Sequence, residues 1–265
     1  MLYGAMNFPV RPLLEEVESL GNMGFDYLEV AMDPPQGHHR VIGAIEKDFI
    51  KALERSKLSV VCHLPTFLSS ADLTESLRSA SLDEVFASLE LAARLQTLKV
   101  VLHPGHAAGL GRFVMEKVKE NGLKSLDAIV AKAHELGLCL CLENMFPRGH
   151  WLVRPEDFRD VLDSFPSLYL TLDTGHAHMA DPKDNLALEF VKNFSHRIGH
   201  VHASDNFGVE DNHLPIGAGT IDFLPLVRAL KSKGYNDTIT LEVFSRDRDY
   251  VKISRQKMEE MFLGV

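Results

Sequence analysis

Long apolar runs are missing from this chain: no stretch of about 18 residues is free of charged and strongly polar side chains, so no membrane-spanning helix is expected. The first residues, Met1-Leu-Tyr-Gly-Ala-Met-Asn-Phe-Pro, lack a charged segment followed by an apolar one, so a secretory leader is not expected either. Cysteine is scarce. Cys62, Cys139 and Cys141 all fall inside strand-like runs rather than at disulfide-type spacings, which points to a reducing cytoplasm. Positive charge is also short, with 28 basic against 37 acidic residues and a net charge of −9. No Lys/Arg stripe advertises a polyanion, so nucleic acid is disfavoured as a partner. Three common catalytic signatures are absent: a G-x-S-x-G elbow, a phosphate-binding P-loop and a dinucleotide fingerprint.

What is present is alternation. Leu2 to Met6, Tyr27 to Met32 and runs ending at His63, His103, Glu143, Asp173, His202 and Glu242 read as strands. Helical patterns separate them at Pro12 to Leu20, Lys47 to Ser56, Leu82 to Leu95, Ser125 to Leu136, Pro155 to Leu162, Asn185 to Phe194 and Phe223 to Lys233, with a last one through Lys257 to Phe262. Near-continuous apolar strands alternating with helices imply a parallel sheet, and eight such units imply a closed (β/α)8 TIM barrel. An open doubly wound sheet would carry a glycine-rich turn after its first strand, where this chain has Asn7-Phe8-Pro9. No linker, repeat or low-complexity segment intervenes, so residues 1–265 are expected to form one domain.

The strand ends carry the chemistry. His63, His103, Glu143, Asp173, His202 and Glu242 each close an apolar run, His176 lies three residues after Asp173, and Asp211 and His213 occupy a late loop. Strand side chains alternate faces, so an inward Glu143 takes Cys141 and Cys139 with it, Asp173 takes Thr171, and Glu242 takes Thr240. Large aliphatics then face the helices. Strand-end residues of a barrel gather at its C-terminal mouth, where barrel enzymes keep their active sites. A ring of buried carboxylates and imidazoles needs a cation to satisfy it, and bound metal supplies one.

The segments His63-Leu-Pro65, His103-Pro-Gly105, Glu143-Asn144, Asp173-Thr-Gly-His176, His200-Val-His202-Ala-Ser-Asp205 and Asp211-Asn-His213-Leu-Pro-Ile-Gly217-Ala-Gly219 together resemble the xylose isomerase-like barrel superfamily. That superfamily holds sugar isomerases and epimerases together with endonuclease IV, the AP endonuclease family 2. The resemblance spans nearly the whole chain and implies a TIM barrel with one to three divalent ions. His63, His103 and Glu143 would hold one; Glu143, Asp173, His202 and Glu242 a second; His176, Asp211 and His213 a third. Imidazole and carboxylate without thiolate suit Zn, Mn, Fe or Co, and zinc or manganese is expected.

Two activities follow from the resemblance. In an isomerase or epimerase of a sugar or sugar phosphate, Glu143 and Glu242 would move a carbon-bound proton through a metal-stabilised enediolate. No strand-end lysine offers the alternative hydride-shift arrangement. In an endonuclease IV-like trinuclear phosphodiesterase, ions about 3.5 to 4 Å apart would generate hydroxide for in-line displacement. The acidic charge, the scarcity of basic loop residues and Met145-Phe-Pro-Arg-Gly after Glu143 favour the small carbohydrate substrate. A metal-dependent sugar-binding module is the non-enzymatic alternative.

Several other residues carry expectations. Glu29 could join the pocket or support a ligand from behind. His106, Phe146, His150, Trp151, Phe207 and Arg246 follow strands and could shape the pocket, though for each a plain loop role is the simpler reading. Gly217-x-Gly219 could hold an anion or make a turn needing positive φ. Cys139 and Cys141 read as small core residues rather than a metal pair.

Overall fold

In the computed structural model, which describes residues 1–265, β1 (Leu2–Met6), β2 (Tyr27–Ala31), β3 (Ser59–His63), β4 (Val100–Leu102), β5 (Leu140–Glu143), β6 (Tyr169–Asp173), β7 (Ile198–Ala203) and β8 (Thr238–Leu241) pair in sequence order. All pairs are parallel and β8 returns to β1, closing the barrel. Around it lie α1 (Leu13–Asn22), α2 (His39–Ala44), α3 (Glu46–Ser56), α4 (Glu75–Arg94), α5 (Met115–Glu135), α6 (Pro155–Ser164), α7 (Thr174–Ala180), α8 (Leu186–Phe194), α9 (Phe223–Ser232) and α10 (Asp249–Gly264). A short 3-10 turn, Gly109–Phe113, precedes α5.

Ten α-helices replace the eight read from the pattern. The two extra ones, α2 and α7, are too short to show a 3.6-residue period. Three others, α4, α5 and α10, begin seven or more residues before their apolar pattern does. Helix α5 starts at Met115 rather than Ser125, running straight through Asn121 and Gly122. Glycine ordinarily weakens a helix by about 1 kcal/mol, but a Cβ at Gly122 would stand 2.9 Å from the Trp151 ring. Packing of the indole therefore decides that position.

Alternation of side chains divides the core in two. One apolar cluster of 60 buried residues fills the space between strands and helices, including Leu28, Leu140, Leu142, Leu170, Leu172, Phe158 and Phe190. Each fully buried Leu or Phe contributes about 1.5–3 kcal/mol by leaving water. Inside the barrel the apolar cluster is only Tyr27, Val61 and Val101. Most of the other inward positions are polar. The register of β6 and β7 shifts between Leu170 and Thr171, pairing Leu170 with Ile198 and Thr171 with His200. Gly199 is the residue passed over, and the shift turns both His200 and His202 inward.

Candidate metal centre

The mouth is assembled from strand ends. His63, Glu143 and Asp173 are the last residues of β3, β5 and β6, while His103 and Glu242 lie one residue beyond β4 and β8. Asp173 also starts α7, because its Oδ1 accepts the His176 backbone N–H at 2.5 Å. That single capped turn brings His176 back over Glu143, with Nδ1 3.1 Å from Oε1. Asn144 holds Asp173 from the side, accepting its backbone N–H at 2.8 Å and donating to its carbonyl at 3.0 Å.

Three sets of ligand atoms converge within 4.8 Å: His63, Glu143 and His202; Glu143, Asp173 and His176; and Asp173, His202 and Glu242. His103 Nε2 reaches Glu143 Oε2 at 3.2 Å. His176 Nε2 and His213 Nε2 both approach Asp211 Oδ2, at 3.2 and 3.0 Å. All nine residues singled out in the sequence thus meet at one end of the barrel.

Hydrogen bonds fix which imidazole nitrogens face the centre. His63 Nδ1 lies 2.8 Å from the Leu64 carbonyl and His176 Nδ1 3.0 Å from the Asn144 carbonyl, and a carbonyl can only accept. Those protons therefore sit on Nδ1. For His202 the order reverses, because Nε2 donates to Glu29 Oε1 at 3.0 Å. Its Nδ1 lone pair then faces Glu242 Oε1 at 3.2 Å, Glu143 Oε2 at 3.5 Å and Asp173 Oδ2 at 3.7 Å. A lone pair among three carboxylates is repulsive unless a proton or a metal cation lies between them.

The orphaned atoms fit a metal. Both oxygens of Glu143, Nδ1 of His202, Oδ1 of Asp211 and Nδ1 of His213 are buried without a hydrogen-bond partner. An uncompensated buried charge costs several kcal/mol. The donor set is nitrogen and oxygen only, which suits a divalent ion of the zinc or manganese type.

Electrostatics pulls the two glutamates apart. Burial works against ionisation of Glu143, but His103 and His202 outweigh it and hold its carboxyl well below the usual range. Burial, with Asp173 and Glu143 adding like charge and His202 and His213 opposing, pushes Glu242 up to about 7. On the wall, burial followed by His103 and His106 lowers His150 to about 3, so that ring is neutral.

Above the centre opens a cavity of about 540 Å3. Its lining includes His106, Phe146 and His150 and also Phe8, Asp33, Thr66, Phe67 and Phe244, which the sequence did not single out. Phe207 and Arg246 are not among its lining residues. Trp151 is buried and donates its Nε1–H to Gly105 at 2.8 Å, supporting the loop after β4. Neither lysine nor arginine lines this cavity.

Glu29 lies in mid-strand, fully buried and outside the cavity lining, where it hydrogen-bonds His200 and His202. Its Oε1 accepts from His202 and its Oε2 lies 3.0 Å from His200 Nε2. Burial opposes its charge, yet His202 and His200 hold its carboxyl well below the normal range. Gly217 does adopt positive φ, at +82°. The amides of Gly217, Gly219 and Ile221 all donate to the Asp205 carboxylate, at 2.9, 2.9 and 3.1 Å. Cys62, Cys139 and Cys141 are free thiols.

Comparison with known proteins agrees with this architecture. A crystal structure of a D-tagatose 3-epimerase-like protein superposes with a TM-score of 0.88 at 30% identity, covering 100% of this chain and 98% of that one. An uncharacterised protein of Methanocaldococcus jannaschii is 29% identical over 275 residues, 98% of this chain and 92% of the relative. A probable endonuclease 4 of Aster yellows witches'-broom phytoplasma is 26% identical over 211 residues, 71% of this chain and 70% of the relative. Residues 17–262 match the family described as Xylose isomerase-like TIM barrel, and the chain belongs to that family.

Proposed function

We propose that this chain is a divalent-metal-dependent epimerase or isomerase of a small, unphosphorylated sugar, residues 1–265 acting as one unit. One observation carries the reading. Two buried glutamates flank His202 Nδ1 at 3.5 and 3.2 Å, beneath a cavity of about 540 Å3 that neither lysine nor arginine lines. A phosphate group would normally meet at least one such cation.

Glu143, Asp173, His202 and Glu242 would hold the principal ion, zinc or manganese. His63 and His103 beside Glu143, and His176, Asp211 and His213 beyond it, offer further positions, so one to three ions are expected. When bound, the ion supplies Lewis acidity that polarises the substrate's carbonyl and adjacent hydroxyl and acidifies the carbon-bound proton. Glu143 and Glu242 perform the proton transfer: one takes the proton from one face of the substrate, leaving an enediolate. The other returns a proton to the opposite face, which inverts that carbon; return to the neighbouring carbon isomerises it. Glu29 keeps His202 in the tautomer that presents Nδ1. Phe8 and Phe244, edge to face at 5.6 Å, form an apolar wall for the carbon skeleton.

A second reading, the endonuclease IV-like phosphodiesterase, is favoured by the convergence of His176 and His213 on Asp211. The lack of Lys and Arg in the cavity lining weighs against it, because DNA recognition draws on phosphate-contacting cations. Incubation of the metal-loaded protein with a panel of ketoses in deuterated water tests both. Deuterium is expected at the carbon next to the carbonyl, with no cleavage of abasic duplex DNA. Abasic cleavage that vanishes in Asp211→Ala, with no exchange into any sugar, overturns the sugar reading.

A further inference from the structure

We propose that His38, His39 and Glu84 form a second, peripheral site for a divalent cation, best suited to zinc, which fastens the segment after β2 to α4. The inference is independent of the chemistry at the barrel mouth. His38 Nε2 lies 3.0 Å and His39 Nδ1 3.3 Å from the same oxygen, Glu84 Oε2. The three ligand atoms lie within 4.8 Å of one another. Zinc bonds of about 2.0–2.2 Å place the ligands of a tetrahedral ion about 3.3 Å apart, so each imidazole already stands at coordinating separation from the carboxylate oxygen.

The local backbone explains how two adjacent histidines reach one point. Successive residues on a helix do not share a face. His38, however, is the extended N-cap of α2 and His39 its first helical residue, and this change of conformation turns both rings to the same side, with centroids 4.2 Å apart. A second observation points to a missing partner: His39 Nδ1 is buried and makes no hydrogen bond. Burial, followed by the neighbouring His38, lowers the proton affinity of His39, which leaves a lone pair for a cation.

Competing contacts are weak. Arg40 approaches the other oxygen, Glu84 Oε1, at 3.9 Å and is mostly exposed, so it can turn aside. The Arg40 N–H donates to His38 Nδ1 at 3.3 Å, which puts the ring proton on Nε2. Metal binding at Nε2 moves that proton to Nδ1 and turns the exposed amide to water. Two imidazoles and one carboxylate, with a fourth position open to water, form a zinc-type donor set rather than a calcium or magnesium one.

Placement gives the site a consequence. Asp33 and Pro34 line the barrel cavity, and Asp33 accepts both the backbone N–H and the hydroxyl of Thr66, at 3.0 and 2.8 Å. The chain reaches His38 only a few residues later, so a cation there tethers one cavity wall to α4.

The test is equilibrium dialysis of the chelator-stripped, full-length protein against zinc chloride, with elemental analysis of bound zinc. The His38→Ala/His39→Ala double variant and Glu84→Gln are each expected to bind one equivalent fewer than the parent, while His196→Ala, an exposed histidine elsewhere, binds the same number. If the double variant does not fold, Glu84→Gln at its partly exposed position decides. Unchanged stoichiometry in any folded variant of the cluster, or an equal loss in His196→Ala, overturns the proposal. Variants at the barrel mouth lose different equivalents, so failure here leaves the sugar reading intact, and the reverse also holds.

Discussion

The two layers of the barrel interior use the same residue types to opposite ends. In the lower layer Tyr27, Glu29, His200, Thr238 and Thr240 satisfy one another: Glu29 binds His200 and Thr240, Tyr27 meets Thr240 at 2.8 Å, and His200 Nδ1 meets Thr238 at 2.6 Å. None of these five has an orphaned side-chain atom. One layer up, Glu143 and His202 are just as buried yet keep atoms without hydrogen-bond partners. A completed network rigidifies, whereas an incomplete one is a strain that only a ligand relieves. Satisfaction of the polar groups, more than their identity, separates scaffold from site.

Substitutions in the two layers should therefore fail differently. The largest effect is expected at the mouth: Glu143→Gln or Glu242→Gln should slow solvent deuterium exchange into the sugar by about 10²–10⁴-fold. For Glu242→Gln, thermal unfolding of the metal-free variant should show stability equal to or above the parent, because burial already pushes that carboxyl up to about 7 and a neutral amide avoids the penalty. A large loss of metal-free stability would erase the contrast between the layers.

Glu29→Gln should behave in the reverse manner, with metal affinity falling about 10–100-fold through loss of control over His202. Metal-free stability should drop by about 3–5 kcal/mol, because a charge paired with two buried imidazoles is broken. Denaturant titration and competitive chelation measure the two effects separately. Next in size, zinc or manganese at about 100 times its dissociation constant should stabilise the parent by about 2.7 kcal/mol. Glu143→Gln should lose most of that gain, and the midpoint of thermal unfolding reads it. The smallest effect is expected from Phe8→Ala, which removes an edge-to-face contact worth about 0.5–1.5 kcal/mol and should raise KM several-fold with little change in kcat.

The sequence disclosed the mouth well because two periodicities coincide there: alternation within each strand and a ligand-type residue at each strand end. It disclosed little of the lower layer. Period two indicates that Glu29 points inward with Tyr27, but its partners His200 and His202 lie across the barrel, and the irregularity at Gly199 that aims them has no local signature. Helix α7 has no signal of its own in the sequence, because it starts at Asp173, whose apolar run marks it as a strand end. The first turns of α5 were obscured by Asn121 and Gly122, whose fit becomes intelligible only once the Trp151 ring is in place. The pairing of His38 with Glu84 spans 46 residues and arises from helix packing alone.

The carboxylate of Asp205, ringed by the amides of Gly217, Gly219 and Ile221, bears on selectivity. Many TIM barrels grip a substrate phosphate with backbone amides from the loops after their seventh and eighth strands. Here the loop after β7 makes such a grip and fills it from within, so the chain is its own resident anion. A phosphorylated sugar would have to evict a fixed carboxylate to use those amides.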